Sequence, residues 1–316
     1  MTGSARSQLA TSIIVLLATL ALAACGGTST TASTSPSAPP TATATPSESA
    51  APLHLVGSDS LEATQKVVDA FGAGVAALSG ARFVPLYADD VVYTDWAFVM
   101  RAEGKADVLK EVRRSLRQAD EARLLAGYAD RGWGVLEHRW DFTKKYQASI
   151  QPITVLEIRD GKIVSEAWYY QDPFKLPAGK PLEPKPLTSR PAPADTAAVA
   201  EAVALKYAAA LQAKDAAAVA ALSAPKIAFM DTAASAVGNS PGQVQAHYAK
   251  IFKKPADLAF TNLRYAFGRG WATLIWVADS PSSAVSGPGV TMLEVREGRI
   301  ARETLYYTST NVPFQP

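Results

Sequence analysis

The chain has little with which to cross-link itself, bind a metal or attract a polyanion. Cys25 is the sole cysteine among 316 residues, so no intramolecular disulfide can form and the folded part must be held by its cores. Of the three histidines, His54, His138 and His247, no two stand at metal-ligand spacing, and no second cysteine can join them, so no metal site is expected. Lys plus Arg number 31 against 29 for Asp plus Glu, a formal net charge of +2, and no basic run interrupts the sequence. Nucleic acid is therefore not an expected partner. Gly-x-Ser-x-Gly, a phosphate loop and a dinucleotide fingerprint are also missing, and no cofactor is expected.

What the chain does have is a repeat. Thr154–Tyr170 returns without a gap as Thr291–Tyr307, an offset of 137 residues. Each copy is an apolar strand, an acidic-Gly turn (Asp160-Gly161, then Glu297-Gly298) and a second strand ending in paired tyrosines. Glycine supplies the positive φ of a two-residue loop between alternating strands, which is the pattern of a β-hairpin. A period this long implies two copies of a whole domain; solenoid repeats run to about 50 residues.

Residues 1–24 carry one charge, Arg6, and an apolar run around Ile13-Ile14-Val15-Leu16-Leu17 that ends in small residues, the form of a secretion signal. Leu22-Ala23-Ala24-Cys25-Gly26 resembles the bacterial lipobox. That resemblance implies that Cys25 is diacylated, becomes the mature N-terminus and holds the protein on the outer face of the cell membrane. The alternative is an ordinary signal peptide with a chance cysteine. Residues 25–57 are Ser, Thr, Ala and Pro with hardly a large apolar side chain, too little to offset chain entropy, so this lead-in, with His54 in it, is expected to be disordered.

The first domain is expected over 58–174. Ser60 is placed to cap a helix whose apolar face is Leu61, Thr64, Val68, Phe71, Val75 and Leu78. A strand over Val91–Trp96, a helix from Gly104 and a run of strands follow. A Pro-rich linker over 175–194 leads to a second domain over 195–316, where Ser240 and Pro241 open a helix in the same place. Helices first and long strands last is an α+β order. Tyr87-Ala88-Asp89-Asp90-Val91-Val92-Tyr93-Thr94-Asp95, Gly104-Lys105-Ala106-Asp107-Val108, Asp160–Glu166 and Tyr169-Tyr170-Gln171-Asp172 together resemble the SnoaL-like branch of the nuclear transport factor two-like superfamily. The second domain resembles it less, since Ser223-Ala224-Pro225-Lys226-Ile227 lacks the paired acids. The resemblance implies two tandem cone-shaped domains, each a curved antiparallel sheet wrapped on N-terminal helices around an apolar pocket. The superfamily holds isomerases, hydratases and cyclases as well as binding modules without chemistry.

Strand parity selects the residues that would face those pockets. In the first domain it gives Tyr93, Asp95, His138, Trp140 and Tyr169, with Asp95 and His138 as a candidate acid–base pair within hydrogen-bonding reach. The bland alternative is a core histidine and a strand-end aspartate. In the second domain the corresponding residues are Phe229, Asp231 and Trp276; there His138 is replaced by Trp276, and Asp231 is expected to lack an imidazole partner. His247 is expected to be a solvated helix residue.

Two functions follow as expectations. One is a lipid-anchored extracytoplasmic module that binds a small apolar ligand without catalysis. The other is a SnoaL-like isomerase, cyclase or dehydratase acting on a hydrophobic carbonyl compound through Asp95 and His138. The domains are further expected to pair sheet to sheet as an intramolecular pseudo-dimer centred on Trp168, Tyr170, Leu305 and Tyr307. The N-terminal reading has a direct check. Cys25→Ala should leave an unprocessed form that is not acylated, seen by mobility shift and by loss of radiolabelled palmitate; normal processing and anchoring of that variant would end the lipoprotein reading.

Overall fold

The computed structural model describes residues 51–142, 148–170, 195–234, 236–253, 257–280 and 285–307. The expected signal segment, Cys25 and the Pro-rich linker lie outside the described residues. In chain order the elements are β1 (Leu53–His54), α1 (Leu61–Ala76), a 3-10 turn (Gly80–Phe83), β2 (Tyr87–Asp95), β3 (Met100–Glu103), α2 (Lys105–Gln118), β4 (Glu121–Asp130), β5 (Trp133–Phe142), β6 (Ala148–Ile150), β7 (Ile153–Arg159) and β8 (Lys162–Tyr169). The second half follows with α3 (Ala197–Gln212), α4 (Ala216–Ala221), β9 (Ser223–Asp231), β10 (Ala236–Gly238), α5 (Pro241–Lys253), β11 (Ala259–Gly268), β12 (Trp271–Ser280), β13 (Val285–Arg296) and β14 (Arg299–Tyr307).

Local signals account for the helices. The Ser60 hydroxyl accepts the Ala63 amide at 3.2 Å and opens α1, whose buried stripe includes Thr64, Val68, Phe71 and Val75. Leu61, expected on that stripe, is exposed. Gly74 belongs in α1 because Phe83 packs so close that a Cβ there would meet its ring at 2.9 Å. At α5 the Ser240 carbonyl accepts the Val244 amide at 3.2 Å, and Pro241 takes the first helical position.

The chain folds as α+β, with two sheets of the same strand order. The first runs β3-β2-β8-β7-β5-β4 with β6 beside β5; the second runs β10-β9-β14-β13-β12-β11, with β1 added outside β11. The sheets are mixed and not purely antiparallel as expected from the sequence: β2 pairs β8, and β9 pairs β14, in parallel. Parallel neighbours need a long crossover, and all the chain between β2 and β8 is that crossover. Helices α1 and α2 pack on one face of the first sheet around Phe71, Val112, Leu136, Trp140, Leu156 and Trp168. Helices α3, α4 and α5 do the same in the second around Tyr207, Val219, Tyr248, Leu274, Trp276 and Leu305.

A β-bulge in each hairpin decides which side chains reach those cores. Glu157 pairs Ser165 but Ile158 pairs Ile163, so Val164 is the extra residue; Glu294 pairs Arg302 but Val295 pairs Ile300, so Ala301 is its counterpart. One inserted residue exchanges the faces beyond it. Glu166 and Trp168 therefore point into the first core, Glu303 and Leu305 into the second, while Tyr169 and Tyr306 turn to the opposite face. This corrects two expectations. Trp168 and Leu305 are core residues and do not centre a contact between the halves, and Tyr169 does not line the first interior.

The opposite faces share a third apolar cluster. It joins Ala126, Tyr128, Val135, Ile153, Val155 and Tyr169 of the first half to Val290, Met292 and Tyr306 of the second, with Ile275 packed against it. The Tyr128 hydroxyl donates to the Ala266 carbonyl at 3.1 Å, and the Phe267 amide donates to Asp130 at 3.0 Å. Arg302, outward on β14, forms an ion pair with the fully buried Glu137 of β5, and its guanidinium lies 5.8 Å from the Trp271 ring centroid. Burial lowers the Arg302 pKa to about 10, still well above neutrality, so the guanidinium is charged at pH 7.

The lead-in is also ordered at its end, contrary to expectation. Leu53 and His54 pair in parallel with Arg264 and Tyr265 of β11, a strand of the second half. The His54 ring lies on Tyr265 and Phe267 at 5.0 and 4.6 Å and its Nε2 contacts Asp130 at 2.8 Å. Two residues give no periodicity to read, and their partners lie some two hundred positions away.

Removing one member of the buried ion pair leaves an uncompensated charge. Arg302→Met should lower unfolding free energy by about 3–5 kcal/mol in urea titration, and adding Glu137→Leu should restore most of the loss. Additive losses in the double variant would show that the pair is not coupled.

Candidate functional site

The interior of each half presents the same polar frame, built by β2, β8 and β5 in the first and by β9, β14 and β12 in the second. At the end of β2, Asp95 accepts the Ala97 and Phe98 amides at 3.0 and 3.1 Å, closing the following turn. The Tyr170 hydroxyl donates to the same carboxylate at 2.6 Å and the Tyr93 hydroxyl at 3.4 Å. Burial raises the Asp95 pKa, and these four donors pull against that rise. At the end of β9, Asp231 accepts the Ala234 amide at 2.8 Å and the Tyr307 hydroxyl at 3.3 Å. The frame thus pairs a strand-end aspartate with the closing tyrosine of the repeat in both halves.

The expected Asp95–His138 hydrogen bond is not formed. Strands β8 and β7 lie between β2 and β5, and the two residues find other partners. His138 is fully buried, its Nε2 lies 3.1 Å from the Thr154 hydroxyl, and its ring stacks on Trp168 at 6.3 Å. Burial alone lowers its pKa to about 3, so the imidazole is neutral throughout the physiological range. The second half explains the role. Trp276 stands where His138 does, and its Nε1 donates to Thr291 at 3.0 Å, the counterpart of Thr154. With its ring proton on Nε2, the tautomer that matches the Trp276 indole, His138 donates to Thr154 and keeps a lone pair on Nδ1. That Nδ1 atom and Nε1 of Trp140, two residues on along the same strand face, are both buried with no hydrogen-bond partner.

The imidazole–carboxylate contact occurs instead in the second half. His247 of α5, expected in solvent, has only 13% of its side chain exposed and sets Nε2 2.7 Å from Asp231. Phe229 lies 4.9 Å from its ring, centroid to centroid. Sequence reading missed this pair because a helix and a strand end meet only through the fold.

It also missed a matched pair of acids. Glu166 accepts hydrogen bonds from the Tyr87 hydroxyl and the Trp168 indole; Glu303, its repeat counterpart, accepts from the Tyr248 hydroxyl and from the Tyr207 hydroxyl at 2.7 Å. Both are fully buried, and burial raises each pKa to about 7 against an ordinary 4.5. The repeat itself was the available signal: an acid kept two positions before Trp168 and Leu305, hidden by a bulge that parity does not reveal. Among the described residues no group of His, Cys, Asp and Glu is arranged to hold a metal ion.

A carboxyl whose folded pKa lies above its unfolded value favours folding below the unfolded pKa, and that advantage is lost as pH rises through the folded one. Stability should therefore fall between about pH 4.5 and pH 7.5, by on the order of 3 kcal/mol for each of the two acids. Glu303→Gln should remove about half of the fall that Glu166→Gln and Glu303→Gln together remove, measured by urea midpoints at pH 5 and pH 8. An unchanged pH slope in the double variant would refute the assignment.

Comparison with known proteins bears chiefly on the second half. A model described as a SnoaL-like domain matches residues 204–303. No curated protein matches the chain. Among solved structures, an NTF2-like protein of unknown function from Mesorhizobium loti is 15% identical, covers 38% of this chain and 99% of its own, and has a TM-score of 0.34. An NTF-2 like protein of unknown function from Burkholderia xenovorans LB400 is 19% identical over 37% of this chain and 89% of its own, with a TM-score of 0.32. An LEH-like epoxide hydrolase from M. tuberculosis is 21% identical over 36% and 89%, again with a TM-score of 0.32. Residues 204–303 form a SnoaL-like domain.

Proposed function

We propose that the protein is a lipid-anchored extracytoplasmic binding module made of two SnoaL-like domains held as an intramolecular pseudo-dimer, and that it acts without catalysis. The ligand is a small, largely apolar molecule carrying a hydroxyl group. The observation that carries this reading is the pair of buried, unpartnered atoms in the first interior, Nδ1 of His138 and Nε1 of Trp140. One accepts and the other donates, and the surrounding side chains include Phe71, Tyr93 and Trp168. A buried polar atom without a partner costs about 1–3 kcal/mol, which a ligand hydroxyl placed between the two atoms would relieve. Catalysis finds little support in the same interior, because Asp95 is occupied by four donors and His138 does not take up a proton near neutrality.

One observation favours the enzyme reading, now in the second half. Asp231, His247 and Tyr307 form a connected carboxylate, imidazole and phenol, a set able to relay a proton on a hydrophobic carbonyl substrate.

Native mass spectrometry of the full chain released gently from membranes separates these readings. The binding reading predicts a defined small-molecule adduct that is lost in His138→Phe with Trp140→Phe and retained in His247→Ala. No adduct across repeated preparations, or an adduct lost only in His247→Ala, would overturn it.

A further inference from the structure

The turn between β2 and β3 is apolar, exposed and conformationally constrained. It reads Trp96-Ala97-Phe98-Val99 before Met100, with Phe98 and Val99 46% and 50% exposed. Val99 has a φ of 54° and is the only β-branched side chain in the left-handed region among the described residues. Asp95 holds the turn through the Ala97 and Phe98 amides, and Tyr170 packs edge-on against Phe98, so the tip is braced from within. The fold itself does not demand this chemistry. In the second half, Asp231 pairs Ala236 in the same register as Asp95 pairs Met100, and the matching turn begins Thr232-Ala233-Ala234.

A cationic helix flank adjoins the tip. Helix α2 buries Val108, Leu109, Val112 and Leu116. At about 100° per residue, Lys110, Arg113, Arg114 and Arg117 fall in one sector of roughly 100° on its exposed side. Arg114 reaches the Met100 sulfur at 3.3 Å, which sets its guanidinium beside the tip. The acids nearby are Asp107 and Glu111 on the other flank of the helix, with Glu111 2.7 Å from Arg114; Glu103 pairs Arg101 at 2.8 Å and Asp89 lies 3.8 Å from Lys105. Helix α5, in the same place in the second half, exposes Gln243, Gln245, Ala246 and Ala249, with Lys250 and Lys253 as its only charged residues.

We propose that the β2–β3 tip and the basic flank of α2 form a contact surface for an anionic phospholipid membrane, in which Phe98 and Val99 enter the headgroup–acyl boundary and the α2 cations lie among the phosphates. A projecting tip of two exposed apolar side chains beside spread positive charge suits a fluid, negatively charged surface. A protein partner would require a wider apolar centre with a polar rim. The long Arg stems can lie along the acyl boundary with their charges in the headgroup layer. This surface uses neither His138 nor Trp140 and does not depend on acylation of Cys25, which would only concentrate the protein near the membrane.

The test uses the full chain carrying Phe98→Trp, reconstituted on vesicles of phosphatidylcholine, alone or mixed with phosphatidylglycerol, with lipids brominated on their acyl chains. Quenching of the added tryptophan should exceed that of the unsubstituted chain severalfold on the anionic vesicles. It should fall by more than half on phosphatidylcholine alone, in high salt, or when Lys110→Gln, Arg114→Gln and Arg117→Gln are combined. Val99→Asn suits the positive φ, so it should keep or raise thermal stability and still reduce quenching; that separates lost contact from lost fold. Quenching equal to that of the unsubstituted chain on both compositions would overturn the proposal. So would a concentration-dependent dimer formed without vesicles and abolished by Phe98→Ser, which would assign the tip to a second copy.

Discussion

The apposition of the two sheets by their outer faces is the constraint on which the rest of the molecule depends. An isolated antiparallel sheet keeps one face for its helices and one for water. Here Val135, Ile153 and Val155 of one sheet meet Val290, Met292 and Tyr306 of the other, so the strands are buried on both sides. The ion pair of Glu137 and Arg302 sits in that layer with both partners almost fully desolvated. Apolar surfaces slide over one another at little cost, whereas a buried charge tolerates only its partner; the pair therefore bears on register more than on gross affinity. The β1 strand acts at the same junction. Its His54 lies on rings of the second half while contacting Asp130 of the first, so the chain enters the folded part through a stitch across both.

With the outer faces committed to each other, the helix-covered interiors hold the candidate site residues, and there the halves agree in frame and differ in detail. Each carries a strand-end aspartate held by the closing tyrosine and a deep glutamate held by aromatic donors. A ring nitrogen stands against a threonine hydroxyl in both, from imidazole in one and indole in the other. The differences then carry the functional reading: unpartnered nitrogens in the first interior, and His247 against Asp231 in the second.

Much of this was legible in the sequence, and the part that was not has definite causes. The repeat, the helix starts at Ser60 and Pro241 and the inward positions of Tyr93, Trp140, Phe229 and Trp276 follow from caps and period-two alternation. Alternation fails beyond Val164 and Ala301 because a bulge leaves no mark that parity can detect, and this alone exchanged Trp168 with Tyr169 and hid both glutamates. His54 and His247 were misplaced for another reason. Their surroundings are made by chain hundreds or tens of residues away, and a local pattern holds no information about them.

If the outer faces form one continuous core, neither half is an independent folding unit. Differential scanning calorimetry of the full chain measures this directly. A shared core predicts one transition whose calorimetric and van't Hoff enthalpies agree. Two resolved transitions, or a calorimetric enthalpy near twice the van't Hoff value, would mean that the halves unfold separately and would contradict the account.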